Sequence, residues 1–186
     1  VVGISFILLA LSGLAFFHPA FFPLTQLFGG PTWARIIHPY LGVLMALSFL
    51  AMFFRFRHLN KMTPADKEWL GKVGQMVDGD DHNMPEQGKY NGGQKVMFWA
   101  LAVCMLLMTV SGILIWRAYF GFDITLVRLG AVVHAAAGAV MIGLIMVHVY
   151  AAIWVKGTIR AMWYGTVTRA WAKQHHRGWY RQVTGK

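Results

Sequence analysis

The chain has 186 residues, of which 57% are hydrophobic and 13% charged, and its mean hydropathy is +0.50. A soluble domain contains about 25% charged residues, so this composition excludes a water-soluble globular protein and favours a membrane protein. The net charge of +10 does not indicate a nucleic-acid-binding protein, because the basic residues flank long apolar segments, as the orientation rule for membrane helices predicts. The single cysteine, Cys104, excludes a disulfide framework and a cysteine-ligated metal cluster within this chain.

Four segments approach or reach the length of about 20 apolar residues that a helix needs to cross a bilayer core. The predicted spans are residues 1–17, 33–54, 95–116 and 126–155. The first begins abruptly in apolar sequence, without a methionine or a basic flank, so we expect the natural N-terminus to lie further upstream. The sequence therefore predicts an all-α fold, in which residues 1–155 form an integral membrane four-helix bundle.

Two polar segments accompany these spans. Residues 55–94 form a loop that contains six of the seven acidic residues. Within it, Thr63 and Pro64 predict the capped start of one short interfacial helix over residues 63–77. Residues 156–186 form an amphipathic tail of basic and aromatic residues, a pattern that favours a helix in the lipid headgroup region; binding to a partner helix is the alternative.

The distribution of basic residues indicates the orientation of the spans. Seven lie between Arg55 and Lys95 and seven more lie in the tail, whereas the short connections contain only Arg35, Arg117 and Arg128. Four spans place the long loop and both termini on one side. The positive-inside rule predicts that this side of the multi-pass protein is the cytoplasm.

Three histidines lie within predicted spans, where ionisable residues are costly and indicate function. His134 and His148 are 14 residues apart, which places them on similar faces of one helix and about 21 Å apart in depth. This spacing fits two haems stacked across a membrane. His38 and His134 both lie early in spans that start from the outer side, so they predict bis-histidine ligation of one iron. For His148, we expect a partner histidine a residue or two upstream of Val1.

Small residues accompany the predicted histidine pair. Gly42 and Gly138 follow His38 and His134 by four residues, on the same helix face, and we expect a porphyrin edge to pack against them. Small residues also recur at 11–13 (LSG) and 110–112 (VSG), where they would permit close approach of a helix or a planar ligand. The alternative is a set of buried histidines that are hydrogen-bonded between helices without a cofactor.

The other five histidines are not expected to form a site. His58 lies 20 residues after His38, about 200° round the helix, and so faces away from the predicted pair. The remaining four are expected at the protein surface: His18, His82, His175 and His176.

Residues 89–95 (KYNGGQK) combine two glycines with amide side chains at the point where the chain re-enters the membrane. Free backbone N–H groups at a helix start favour oxygen acceptors, so they could hold a quinone carbonyl beside an inner haem. The simpler interpretation of the same residues is a glycine-rich turn with a helix cap.

Six segments resemble the cytochrome b (gamma) subunit of respiratory membrane-bound formate dehydrogenases, and the resemblance covers nearly the whole chain. The segments are residues 34–39 (ARIIHP), 88–95 (GKYNGGQK), 115–120 (IWRAYF), 134–138 (HAAAG), 155–159 (VKGTI) and 171–181 (WAKQHHRGWYR).

The resemblance implies roles for individual residues. His38 and His134 would ligate an outer, periplasmic haem b, which receives electrons from an iron–sulfur (beta) subunit. His148 would ligate an inner haem b, with its partner from the missing start of the first helix. A quinone pocket beside that haem would be bordered by Asn91, Gly93, Gln94 and His148.

The resemblance also implies the reaction and the assembly. Formate would be oxidised in a separate molybdenum- or tungsten-containing (alpha) subunit, and electrons would cross the membrane to reduce ubiquinone or menaquinone at the cytoplasmic side. The complex would be a trimer of three-subunit units. Two alternatives remain: the cytochrome b subunit of a hydrogenase or related respiratory complex, and a haem-free anchor or transporter with an intramembrane histidine proton path.

Overall fold

The computed structural model describes residues 1–78, 83–116 and 120–185, and all regular secondary structure within these ranges is helical, with no strand. The all-α prediction is therefore confirmed for the described residues. Two 3-10 helices occupy Pro19–Phe28 and Arg57–Asn60. The α-helices are α1 (Val2–Phe17), α2 (Pro31–Phe56), α3 (Pro64–Gly71), α4 (Val73–Val77), α5 (Gly92–Ile115), α6 (Ile124–Trp154), α7 (Thr158–Tyr164), α8 (Arg169–His175) and α9 (Arg177–Thr184).

Three helical segments of the described chain are long and apolar enough to cross a membrane: Pro31–Asn60, Gly92–Ile115 and Ile124–Trp154. They correspond to the second, third and fourth predicted spans. Only 11–17% of their most apolar windows is buried within the protein, so most of these apolar side chains are available to lipid. The helix α1 is also apolar but has only 16 residues.

The chain divides into two compact units. The first contains Val1–Arg55 and Leu101–Leu144, and the second contains Phe56–Ala100 and Ile145–Lys186. The helices α5 and α6 therefore contribute residues to both units.

The core of the first unit lies between α2, α5 and α6. Helices α5 and α6 cross closely at Gly130, since a Cβ atom there would lie 2.9 Å from Leu114 Cβ. A larger side chain at this position would separate the two helices. The buried apolar side chains of this core are Met45, Phe49, Cys104, Met105 and Met141.

The second unit begins its helical part with a capping box at α3. The backbone N–H and the hydroxyl of Thr63 both donate to Asp66 Oδ2, at 2.6 and 2.7 Å, and the Thr63 hydroxyl oxygen in turn accepts from the Asp66 N–H. The capped start predicted at Thr63 and Pro64 is therefore confirmed. The single helix predicted over residues 63–77 is wrong in one respect, because α3 and α4 are separate helices.

The C-terminal tail forms three short helices, α7, α8 and α9, instead of one continuous helix. The two aromatic side chains of α7 are strongly exposed, Trp163 at 81% and Tyr164 at 67%, which agrees with the expectation of a headgroup helix. Helix α9 and the preceding His176 differ from that expectation, because they also contact the chain that precedes α5.

Candidate functional site

The side chains of His38 on α2 and His134 on α6 lie together in the first unit. Their ring centroids are 6.2 Å apart and their planes are inclined by 66°. Both residues are half-buried. The structure thus brings together the two histidines that the sequence placed at one depth.

A serine from a neighbouring helix contacts each ring. Ser12 Oγ on α1 lies 2.7 Å from His38 Nδ1, and Ser111 Oγ on α5 lies 2.9 Å from His134 Nδ1. Both serines are almost completely buried, with exposures of 0% and 2%. Each imidazole is therefore oriented by a hydrogen bond to a buried serine.

The glycine after each serine lies against the same ring. A Cβ atom at Gly13 would be 3.6 Å from His38 Cε1, and one at Gly112 would be 3.4 Å from His134 Cε1. The repeated Ser-Gly pairs in the first and third predicted spans are thus two equivalent supports for two histidines. The sequence showed that small residues recur at these positions, but it did not reveal that each Ser-Gly pair contacts a histidine ring.

The predicted haem-packing glycines have different surroundings. No atom lies within 4 Å of the position that a Cβ atom would take at Gly42. At Gly138, the Cε and Sδ atoms of Met108 both lie 3.7 Å from that position. One glycine therefore faces open space, and the other faces the flexible end of a methionine.

The histidine pair fits the axial ligand set of a haem. Two imidazoles bound to one metal by nitrogens about 2.0 Å from it place their ring centroids about 6.3 Å apart, close to the observed 6.2 Å. The Nε2 atom of His38 makes no hydrogen bond within the described part of the chain. The described residues contain no group of three or more His, Cys, Asp or Glu side chains able to hold a metal ion, but a haem iron needs only axial ligands from the protein.

His148 also lies on α6, in the second unit, and its side chain is exposed. No ring or hydrogen-bonding partner contacts it among the residues that the structure describes. His58, in the same unit, is exposed as well. The structure therefore provides one candidate ligand here, and the partner expected upstream of Val1 stays a prediction.

Reciprocal hydrogen bonds cap the start of α5. The Asn91 N–H donates to Gln94 Oε1 at 3.0 Å, the Gln94 N–H donates to Asn91 Oδ1 at 2.9 Å, and the Gly92 N–H donates to Gln87 Oε1 at 3.2 Å. The helix-cap interpretation of this segment is therefore correct, and these three backbone donors are not free. The side-chain NH₂ groups of Asn91 and Gln94 and the Gly93 N–H make no hydrogen bond within the described ranges.

A buried ion pair connects this helix start to α3. Lys95 Nζ lies 2.7 Å from Asp66 Oδ2, and the two side chains are 8% and 2% exposed. Burial alone would raise the pKa of Asp66, but the hydrogen bonds from Lys95 and Thr63 outweigh it and hold that pKa below its ordinary value. The backbones also approach closely, since a Cβ atom at Gly92 would lie 2.7 Å from the Asp66 carbonyl oxygen. These contacts hold the capped start of α5 in place.

The tail contacts the segment that leads into α5. His176 Nδ1 donates to the Gly88 carbonyl at 2.8 Å, and the Trp179 N–H donates to the Gln87 carbonyl at 3.3 Å. The His176 ring stacks on Trp171, with centroids 5.0 Å apart. Gln87 therefore accepts a hydrogen bond from the tail through its backbone carbonyl and accepts another from the Gly92 N–H through its side-chain oxygen.

The surface prediction for His176 is wrong, because its side chain is only 3% exposed. Burial lowers the pKa of His176 and outweighs the hydrogen bond to the Gly88 carbonyl, which raises it, and neighbouring His175 adds a smaller lowering effect. Burial of the tail depends on contacts with a segment 88 residues earlier, which no local pattern reveals. His18 is exposed as expected, and His82 lies outside the described residues.

Comparison with known proteins assigns the family. The profile of the prokaryotic cytochrome b561 family matches residues 1–165. In Escherichia coli K12, the cytochrome b556(Fdn) subunit of nitrate-inducible formate dehydrogenase is 44% identical over 184 residues, covering 98% of this chain and 85% of that protein. The cytochrome b556(fdo) subunit of the same organism is 46% identical over 185 residues, covering 98% and 87%.

A relative from another organism gives the same result. The formate dehydrogenase cytochrome b556 subunit of Haemophilus influenzae is 40% identical over 181 residues, covering 96% of this chain and 76% of that protein. The resemblance inferred from six sequence segments is thereby confirmed, and the family implies a haem b cofactor in a membrane protein. The chain therefore belongs to the prokaryotic cytochrome b561 family and, within it, to the cytochrome b556 subunits of formate dehydrogenases.

Proposed function

We propose that this chain is a di-haem cytochrome b that passes electrons from an iron–sulfur subunit across the membrane to quinone. The observation that carries the proposal is the pairing of His38 and His134, with ring centroids 6.2 Å apart. The spacing matches that of two axial ligands on one metal. Family membership favours this function over a haem-free anchor or transporter.

The outer site is proposed to hold one haem between α2 and α6. Haem b would supply a one-electron redox centre at this position. His38 and His134 would each present Nε2 to the iron, while Ser12 and Ser111 hold the opposite ring nitrogens.

The inner site is proposed to use His148. It follows His134 by 14 residues on the continuous helix α6, so the two side chains share one general face of that helix, about 21 Å apart along its axis. Helix α1 is proposed as a fourth membrane span.

Quinone is proposed to bind at the start of α5. The reciprocal cap uses the amide oxygens of Asn91 and Gln94, which leaves their NH₂ groups as the donors that would face a quinone carbonyl. The N–H of Gly93 is a third donor. His148 would complete the pocket from the side of the inner haem.

The partners and the orientation are inferred from the relatives and the charge distribution. Relatives are named as subunits of formate dehydrogenase, so an iron–sulfur (beta) subunit and a molybdenum- or tungsten-containing catalytic (alpha) subunit are proposed as partners, in a trimer of such units. The basic loop and both termini are proposed to lie on the cytoplasmic side of a bacterial inner membrane. Inward electron movement would then separate charge, with protons taken up at the quinone.

The test uses the purified complex. We expect a b-type α-band in the reduced-minus-oxidised spectrum and two haems per chain. A His38→Ala variant should keep one haem and lose formate-driven quinone reduction, whereas the control His18→Ala, at an exposed histidine, should keep both haems and the normal rate. Absence of the α-band in the wild-type complex, or a normal rate in His38→Ala, would reject the proposal.

A further inference from the structure

We propose that Ser12 and Ser111 are positioning residues that fix the tautomer of His38 and His134 and thereby lower the reduction potential of the iron between them. This inference rests on the proposed function, because it requires haem at the histidine pair. Each serine hydroxyl lies within hydrogen-bond distance of two groups, a backbone carbonyl of its own helix and a histidine ring.

The first direction is fixed by backbone carbonyls. Ser12 Oγ lies 2.8 Å from the Leu8 carbonyl oxygen, and Ser111 Oγ lies 2.6 Å from the Leu107 carbonyl oxygen. A carbonyl oxygen can only accept a hydrogen bond, and a hydroxyl has a single proton to donate. In each serine, that proton therefore points back along its own helix.

The second direction follows from the first. With its proton committed, the serine oxygen can only accept from the imidazole, so Nδ1 of each histidine must be the protonated nitrogen. A neutral imidazole has one donor and one acceptor nitrogen. Nε2 of His38 and of His134 then has the free lone pair that a metal ligand needs. The opposite tautomer would place a proton on Nε2 and prevent ligation.

The same bond changes the electronic character of the ligand. A histidine that donates its second N–H to an acceptor becomes a more basic ligand, and a more basic ligand stabilises the ferric over the ferrous state. The bond is effective here because both serines are almost completely buried. Since Ser12 acts on one axial ligand and Ser111 on the other, their effects on one iron should add.

The experiment measures the midpoint potential of the outer haem in the purified complex of Ser12→Ala, Ser111→Ala and the double variant. The outer haem is identified as the one lost in His38→Ala. The matched control is Thr109→Val, because Thr109 Oγ1 makes the same kind of bond to the Met105 carbonyl, at 2.8 Å, but makes no hydrogen bond to a histidine of the described chain. Low-field ferric EPR of the same samples reports the change in ligand basicity.

We expect each serine variant to raise the midpoint potential. A threefold to tenfold change in the ferric-to-ferrous ratio corresponds to about 30–60 mV for a one-electron couple. The double variant should show about the sum, with a shifted low-field EPR signal, while Thr109→Val should match the wild type.

The inference is overturned if the serine variants keep their haem with the wild-type midpoint potential and EPR signal, or if Thr109→Val shifts them equally. If one serine variant fails to hold haem, the other, on the opposite ligand, decides by the same criterion. A full haem content in His38→Ala would instead reject the haem site itself, so the two failures are distinguishable.

Discussion

The two compact units use their polar side chains differently. In the first unit, Ser12 and Ser111 donate hydrogen bonds to backbone carbonyls of their own helices, and each contacts a histidine ring on another helix. In the second unit, polar contacts join segments that are distant in sequence: Asp66 with Lys95, and His176 with the chain before α5.

The difference follows from the local surroundings of these particular side chains. In a bilayer, the backbone N–H and C=O groups are hydrogen-bonded within each helix. The few polar side chains there are therefore not needed to pair with the backbone of other segments and can contact a cofactor ligand. Outside the bilayer, short helices need long-range polar contacts to stay in place. Substitutions of Ser12 and Ser111 should therefore affect the outer haem, whereas substitutions of Asp66, Lys95 and His176 should affect local stability.

The largest loss of stability is expected on breaking the buried ion pair of the second unit. Asp66→Asn leaves the Lys95 ammonium buried without its carboxylate, which typically costs about 3–5 kcal/mol. The matched control is Glu68→Gln, which breaks an exposed pair with Lys72 (side chains 55% and 33% exposed) and should cost less than about 1 kcal/mol.

Amide hydrogen exchange of α3 and the first turn of α5 measures both effects in the purified complex. Equal protection in the two variants would contradict the role assigned to the buried pair. A change in the spectrum of the outer haem in Asp66→Asn would contradict the proposed division between the units.

A smaller, pH-dependent loss is expected at His176. Its pKa in the folded protein is below the ordinary value, so the unfolded chain binds more protons. The stability that neutral His176 contributes is complete above the ordinary pKa of about 6.5 and decreases as the pH falls through its folded pKa. We expect the amount by which the Tm of the wild type exceeds that of His176→Gln to decrease from pH 7.5 to pH 5. If the Tm values of the two proteins varied with pH in parallel, the neutral His176 ring would not be what holds the tail.

The smallest effect on stability, about 1 kcal/mol, is expected on removing a helix cap. Asn91→Ala and the control Thr168→Ala, which caps α8 through the Trp171 N–H at 3.2 Å, should each increase exchange in the first turn of their helix. Only Asn91→Ala should also raise KM for quinone. An unchanged KM would remove Asn91 from the proposed quinone site.

The sequence predicted the parts of the fold that depend on local pattern. Apolar length alone located α2, α5 and α6, because a bilayer sets the length of a spanning helix. The depth of His38 and His134 followed from their positions within those helices, since helical rise is constant. The cap at Thr63 was likewise readable from the Thr-Pro pair.

The remainder of the site depends on contacts that no local pattern encodes. The small size of the residues at 12 and 111 was evident, but the bond from each hydroxyl to a ring on another helix requires the packed structure. His176 looked like a surface residue because its burial requires the Gln87–Gly88 backbone. The pairing of Asp66 with Lys95 links positions 29 residues apart in a loop of mixed charge.

The most direct test of the central claim is the haem content of His38→Ala, His134→Ala and the double variant, determined per chain in the purified complex. Because both residues are proposed to ligate the same iron, each single variant and the double variant should lose the same one haem of two, and adding His148→Ala should remove the second. Full haem content in both single variants, or loss of two haems in the His38→Ala/His134→Ala double variant alone, would contradict the account.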